Sequence, residues 1–270
     1  MRWLWSALAA CLVVLGGTPA SAQDFPPPLC DNGPYGTDIY GVEPDGRLFA
    51  YRHFGAGTGE ATWGAKRYIG EGWHGTVRAA GHGTFFFIPA GTGELRRYHW
   101  NGSTWTPFGA TQYEVVGHGF DRYTTLTAAG DDSFYGIDPT GDLHAWTLTD
   151  NTWTPTTIGV GWNTFTRVVA GYSGEFYAID ATGTLYLYQY AKYYQRWDIQ
   201  AQPIGAGWAT LTNITTAGSG VLYATTPNGT LTWYRYYVHW TTNGIPRPVG
   251  TGWQGITTLA SPASCLPHPA

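Results

Sequence analysis

A short element, Gly-x-Gly followed by Trp or Phe, recurs five times, at Gly70–Trp73, Gly117–Phe120, Gly159–Trp162, Gly205–Trp208 and Gly250–Trp253. The copies are spaced by 47, 42, 46 and 45 residues. A period of this length marks stacked units that cannot bury their apolar faces alone. Between the copies lies a second pattern: an aromatic run, a Pro/Asp/Gly turn, and another run. It reads Ile39–Val42 to Gly46–Leu48, Phe85–Phe87 to Gly93–Leu95, Phe134–Gly136 to Gly141–Leu143, Phe176–Ala178 to Gly183–Leu185, and Leu222–Ala224 to Gly229–Leu231. Turns such as Asp138-Pro139-Thr140-Gly141 suit a type I turn closed by a left-handed glycine, so five β-hairpins are expected.

After each turn stands a leucine (Leu48, Leu95, Leu143, Leu185, Leu231), and three residues on an aromatic (Tyr51, Tyr98, Trp146, Tyr188, Tyr234). An odd offset on a strand points the two side chains to opposite faces, so both faces of each hairpin must be covered. A sheet packed between two others meets that demand. Upstream, a short run such as Thr76–Ala80 or Arg167–Ala170 ends in Ala-Gly in four copies, as suits an innermost strand crowded at an axis. Downstream, Trp63, Trp105, Trp153, Trp197 and Trp240 are expected to begin a fourth, outer strand. The last Gly-x-Gly-Trp has no hairpin after it and the first hairpin has no loop before it. Residues 38–68 therefore complete the unit begun at Gly250. The expected fold is all-β: a single five-bladed β-propeller over residues 23–270, with four-stranded blades and a ring closed by pairing of the N- and C-terminal segments.

Only 12% of residues are charged, against 38 Gly, 19 Tyr and 14 Trp, a composition of strands and tight turns. The net charge is −4, and 14 Lys and Arg spread thinly along the chain form no basic stripe, which argues against a nucleic-acid partner. Arg2, the apolar run Ala7–Leu15 and Ala20-Ser21-Ala22 read as a signal peptide over 1–22, cleaved before Gln23. The run is too short to span a bilayer, so secretion without membrane insertion is expected. Cys11 lies in that leader. Cys30 and Cys265 remain, near the two ends of the mature chain, and an exported pair of this kind is expected to form a disulfide at the ring's seam.

These residues resemble the tachylectin family of five-bladed propeller lectins, whose repeat joins a Gly-rich Gly-Trp loop, a P-x-G-x-L-Y hairpin and a later Trp. The copies match as in Ile158–Asn163 with Phe165, then Phe176–Tyr186, then Trp197, and the likeness runs from about Asp38 to Leu266. The resemblance implies a pocket for an N-acetylated sugar between each pair of neighbouring blades, and cell-surface or extracellular glycans as partners. The family usually has Asn or Asp after the loop Trp. Here the residues are His74, Asp121, Asn163, Ala209 and Gln254, of which only Asp121 and Asn163 conform.

A sugar presents C–H groups on one face and hydroxyls at its edge, so a site needs an aromatic plane and a few fixed donors and acceptors. Trp73, Phe120, Trp162, Trp208 and Trp253 offer the planes, or else serve as core wedges between blades. Gly72, Gly119, Gly161, Gly207 and Gly252 allow close backbone approach. His74, Asp121, Asn163 and Gln254 could read hydroxyl or acetamido groups. A monomer carrying several such sites on one ring would bind clustered sugars by avidity.

Two other functions fit the fold: a propeller glycosidase and a protein-binding or structural surface protein. The innermost runs hold no Asp or Glu, though Asp131, Asp132 and Glu175 lie just beyond them. His53, His82, His99, His118, His144 and His239 are scattered, without zinc-site spacing, so neither metal nor cofactor is expected. Asn101, Asn213 and Asn228 each begin a glycosylation acceptor triplet.

Overall fold

The computed structural model describes residues 36–130, 133–149 and 152–263. The leader, Cys30, Cys265, Asp131 and Asp132 lie outside the described residues. In chain order the strands are β1 (Thr37–Val42), β2 (Leu48–His53), β3 (Arg67–Gly70), β4 (Gly75–Ala79), β5 (Thr84–Pro89), β6 (Leu95–His99) and β7 (Glu114–Gly117). They continue with β8 (Thr125–Ala128), β9 (Phe134–Ile137), β10 (Leu143–Thr149), β11 (Thr152–Gly159), β12 (Phe165–Ala170), β13 (Glu175–Asp180), β14 (Leu185–Ala191) and β15 (Arg196–Gly205). The last are β16 (Asn213–Gly218), β17 (Val221–Thr225), β18 (Leu231–Tyr237), β19 (His239–Trp240), β20 (Arg247–Gly250) and β21 (Thr258–Ala260). Short 3-10 turns connect some of them, and among the described residues there is no α-helix.

The strands form five antiparallel sheets, read from the axis outward as β4–β7, β8–β11, β12–β15, β16–β18 with β20, and β21 with β1–β3. We number these blades I to V. The innermost strands touch in a closed circle, β4 to β8 to β12 to β16 to β21 and back to β4. Blade V is the seam: Tyr40 pairs with Ala260, Gly41 with Leu259 and Val42 with Thr258. The ring therefore closes as the sequence predicts.

The leucine/aromatic offset has the predicted consequence. All five leucines are fully buried. Leu48 packs in the V/I interface with Trp73 and Phe85, whereas Tyr51 on the same strand packs in the IV/V interface with Trp253 and Leu231. The other blades repeat this, giving five aromatic-rich clusters, one per interface. Each buried leucine contributes roughly 1.5–3 kcal/mol, so the blade stack is the main source of stability. At the Ala-Gly ends of the inner strands the backbones nearly touch. A β-carbon at Gly81 would collide with the Gly130 carbonyl, and one at Gly130 with that of Ala263.

Two of the five downstream tryptophans begin an outer strand as expected, and three do not. Trp153 and Trp197 lie in the outermost strands β11 and β15, but Trp240 sits in the two-residue β19, and Trp63 and Trp105 form isolated bridges with His53 and Trp100. Four of the five, all but Trp153, share a latch across the blade interface. Trp63 Nε1 donates to Val249 O at 2.6 Å, Trp105 to Ile69 O at 2.6 Å, Trp197 to Ile158 O at 2.7 Å and Trp240 to Ile204 O at 2.5 Å. Every acceptor belongs to the outer strand of the preceding blade.

Candidate functional site

The Gly-x-Gly-Trp loop joins the outer strand of one blade to the inner strand of the next, and each residue of it has a structural cause. At the first glycine there is no room for a side chain: a β-carbon at Gly70, Gly205 or Gly250 would lie 2.8, 2.7 or 2.7 Å from the indole Nε1 of Trp73, Trp208 or Trp253. The second glycine (72, 119, 161, 207, 252) is left-handed, with φ between 74° and 84°, and a β-carbon there would meet nothing within 4 Å. It turns the chain and leaves an open floor. The aromatic is then pinned: its backbone N–H donates to the turn glycine of the preceding blade's hairpin, Trp73 to Gly46 O (3.0 Å), Phe120 to Gly93 O (3.0 Å), Trp162 to Gly141 O (2.9 Å), Trp208 to Gly183 O (2.9 Å) and Trp253 to Gly229 O (3.0 Å).

Consequently Trp73, Phe120, Trp162, Trp208 and Trp253 are wedges of the interface, all buried. Their edges still border open space. Three interfaces open into clefts of one design, with volumes of about 490 Å³ (V/I), 650 Å³ (II/III) and 340 Å³ (III/IV), within the size range of small-molecule sites. The V/I cleft is floored by Gly70, Gly72 and Trp73 and walled by Tyr98 and Trp105. Gly159, Gly161, Trp162, Tyr188 and Trp197 take these places in II/III, and Gly205, Gly207, Trp208, Tyr234 and Trp240 in III/IV. Trp73 lies 4.8 Å from Tyr98 and Trp162 lies 4.6 Å from Tyr188, ring centre to ring centre, as does Trp208 from Tyr234. The indole N–H groups of Trp73, Trp162 and Trp208 have no partner among the described residues, unlike those of the latch tryptophans. Burial raises the Tyr98, Tyr188 and Tyr234 phenol pKa values, so these hydroxyls stay protonated donors.

The rims differ. The V/I cleft carries the Glu71 carboxylate, the Gln112 amide and the phenols of Tyr68 and Tyr113. Gln200 and Thr164 border II/III, and Thr210, Gly244 and Pro246 border III/IV. Gly119 with Phe120 and Gly252 with Trp253 hold the equivalent loop positions in I/II and IV/V. In the seam blade, Lys66 Nζ lies 5.8 Å from the ring of Tyr51, the counterpart of the cleft tyrosines.

His74, Asp121, Asn163 and Gln254 do not line the three clefts. Each is exposed and folds over the preceding blade's turn: a β-carbon on Gly46 would be 2.6 Å from His74 Nε2, one on Gly93 2.5 Å from Asp121 Oδ1 and one on Gly141 2.6 Å from Asn163 Oδ1, while Gln254 covers Gly229. At Asp121 and Asn163 a 3-10 turn after the left-handed glycine sets this direction. The cleft residues that sequence reasoning did not select are Tyr98, Tyr188 and Tyr234, whose signal was their fixed place in every repeat.

Among the described residues, Glu175 and Asp138 are each engaged by their own neighbours. Glu175 is enclosed against Gly171 and takes a hydrogen bond from Tyr177 OH (2.7 Å). Burial pushes its carboxyl pKa up to about 7. Asp138, Asp142 and His144 cluster with ligand atoms within 4.8 Å. However, the Asp138 carboxylate accepts from Thr140, from the Gly141 and Asp142 backbone and from His144, so it is committed to its own turn. The Thr140 hydroxyl and His144 hold its pKa well below the usual carboxylate range.

A closed five-bladed ring with clefts of one design between neighbouring blades defines a propeller with repeated small-ligand sites. The chain belongs to the Tachylectin family, which it matches over residues 41–258, and is thereby a carbohydrate-binding lectin rather than an enzyme. It is similar in fold to a structure described under the de novo evolutionary emergence of a symmetrical protein (16% identity, 84% of this chain and 98% of that one, TM-score 0.57). It is also similar to AofleA from Arthrobotrys oligospora (14% identity, 84% and 74%, TM-score 0.50). A more distant likeness is to the six-bladed lectin of Aleuria aurantia (13% identity, 84% and 81%, TM-score 0.44). No curated protein sequence matches the chain.

Proposed function

We propose that the protein is an exported, monomeric lectin that binds N-acetylated sugars of the GlcNAc or GalNAc kind in its interblade clefts. The observation that carries this reading is the threefold recurrence of one donor set: an unpartnered indole N–H, a protonated tyrosine and a bare glycine floor. The N–H and phenol supply directed donors for an acetamido carbonyl or ring hydroxyls, and the aromatic rings supply the apolar wall a sugar's C–H face needs. Glu71 and Gln112 add acceptors in the V/I cleft. Three like sites on one rigid ring gain avidity on clustered glycans without new contacts. Export rests on the leader over 1–22, and the seam would be sealed by Cys30 and Cys265.

A glycan array probed with the purified protein, followed by competition with free N-acetylglucosamine, tests the reading. Selective binding to N-acetylated glycans is expected. Absence of binding to any glycan overturns the proposal. Mass analysis of the exported protein is expected to give Gln23 as first residue and a mass two hydrogens below that of the reduced chain.

A further inference from the structure

The axis of the ring encloses a separate cavity of about 340 Å³, and its lining is of another kind from that of the clefts. Strand register arranges the inner strands in levels. At the first level stand Thr76, Thr125, Arg167, Asn213 and Thr258, each paired with a residue at or next to the end of the adjacent hairpin strand (Ile88, Ile137, Ile179, Thr225, Val42). Two residues deeper stand Arg78, Thr127, Val169, Thr215 and Ala260, and all ten line the cavity. Two guanidinium groups thus face a confined space whose described lining includes no carboxylate.

The two arginines differ in what holds them. Arg78 ties blades together, donating from Nε to Leu126 O (2.5 Å) in blade II and to Val77 O (2.7 Å). Its acceptors among the described residues are neutral carbonyls, and burial lowers its pKa to about 10. Arg167 has no hydrogen-bond or ion-pair partner among the described residues. The hydroxyls of Thr76, Thr125, Thr215 and Thr258 are likewise without partners, so they remain free to donate into the cavity. The other polar members hold the ring: Ala170 N–H donates to Thr127 Oγ1 (2.8 Å), and Asn213 Nδ2 donates to Ile256 O (3.2 Å). Interblade ties account for Arg78 and Asn213. They do not account for Arg167.

We infer that the axial cavity is a binding site for one oxyanion per ring, a free sulfate or phosphate or the acidic group of a sugar, held by Arg167 and Arg78 and the threonine hydroxyls. Low-dielectric walls strengthen the field of the two cations, and a planar guanidinium matches an oxyanion in two-point geometry.

Calorimetric titration of the whole protein with sodium sulfate, sodium phosphate and sodium glucuronate, each at constant ionic strength, tests the assignment. One anion per chain is expected, with Arg167→Gln weakening it about tenfold or more and leaving neutral-glycan binding and thermal midpoint in anion-free buffer unchanged. Glucuronate binding sensitive to Arg167→Gln identifies the acidic group of a glycan. Sensitivity confined to sulfate or phosphate identifies the free ion. Thr258→Val is the second variant, expected to weaken the same anion. No saturable binding of any of the three, or binding unaltered in both variants, overturns the inference.

Discussion

Trp63 Nε1 donates to the carbonyl of Val249 at 2.6 Å, joining residues 186 positions apart across the seam of the ring. This latch is one of four alike, the one of them that lies between blades V and IV, and around it the loop after β2 accepts Trp233 Nε1 at Ala56 O, Arg235 at Gly57 O and Arg247 at Thr58 O. The closure of the propeller thus depends on side chain to carbonyl bonds as well as on the β1–β21 ladder.

Replacing the latch without changing the ring stack isolates its contribution. Trp63→Phe is expected to lower unfolding stability by about 1–3 kcal/mol, because it leaves a buried carbonyl unpaired. Trp153 is the internal control: its Nε1 is buried without an acceptor. Trp153→Phe removes an unpaired polar group and is expected to cost less than Trp63→Phe. Denaturant unfolding of the two variants, compared with the native chain, checks the order.

His53 and Glu175 give opposite pH dependences. His53 is fully buried, and its Nε2–H donates to Glu60 O (2.7 Å) while Nδ1 accepts from Tyr223 OH (2.6 Å). Burial pulls its pKa down to about 4. The unfolded chain binds that proton below about pH 6.5, so stability falls as pH drops from about 6.5 towards 4. Glu175, raised to about 7, is protonated in the fold where the unfolded chain is not, so its contribution is full below pH 4.5 and is lost as pH rises to about 7. Each amounts to up to about 3 kcal/mol. Between pH 4.5 and 6.5 the two slopes oppose one another. Glu175→Gln is expected to leave a stability that rises with pH across that window, and His53→Gln one that falls. Thermal unfolding at half-unit pH steps distinguishes these profiles, and two parallel profiles would contradict them.

Three acceptor triplets are present, but one cannot be used by the folded protein. Asn213 lies at the axis with its amide bonded to Ile256 O, whereas Asn101 and Asn228 are in exposed turns. Expression in a glycosylating host is expected to yield no glycan on Asn213 of the folded protein. Peptide mapping by mass spectrometry reads this directly.

What could be read from the residues was whatever the repeat displays five times. The Gly-x-Gly-Trp loops, the hairpins and the Leu48/Tyr51-type offset each recur, so chance agreement was excluded and the blade faces followed from strand parity alone. The unpaired last loop fixed the closure at β21 and β1. What could not be read depends on direction rather than on period. His74, Asp121, Asn163 and Gln254 follow the loop aromatic in sequence, yet the chain lays them over the neighbouring hairpin turn, by way of a 3-10 turn at Asp121 and Asn163, and none of them lines the three clefts. The axial site was hidden for the converse reason: Arg78 and Arg167 occupy different levels of different blades, so no repeat position announces them. Pairing of His53 with Tyr223 is a contact between distant segments and leaves no local trace.

The loop aromatics serve as both wedge and donor, and the chain itself offers a way to separate the roles. Phe120 takes the wedge position in the I/II interface, is buried to the same degree as its tryptophan counterparts, and packs 4.9 Å from Trp146 as Trp162 packs 4.6 Å from Tyr188. A phenyl ring therefore fills the wedge without an N–H. Trp162→Phe should keep the fold to within roughly 1–2 kcal/mol while removing the donor at the floor of the II/III cleft. A neutral hydrogen bond is worth about 0.5–1.5 kcal/mol, so monosaccharide affinity at that cleft should fall by roughly two- to tenfold. Combining Trp73→Phe, Trp162→Phe and Trp208→Phe removes the donor from all three clefts, and loss of avidity should make the defect on a dense glycan surface larger than in the monosaccharide titration. If the triple variant folds and binds sugar as the native chain does, the indole N–H groups are not ligand contacts, and the clefts must bind through their tyrosines and rims alone.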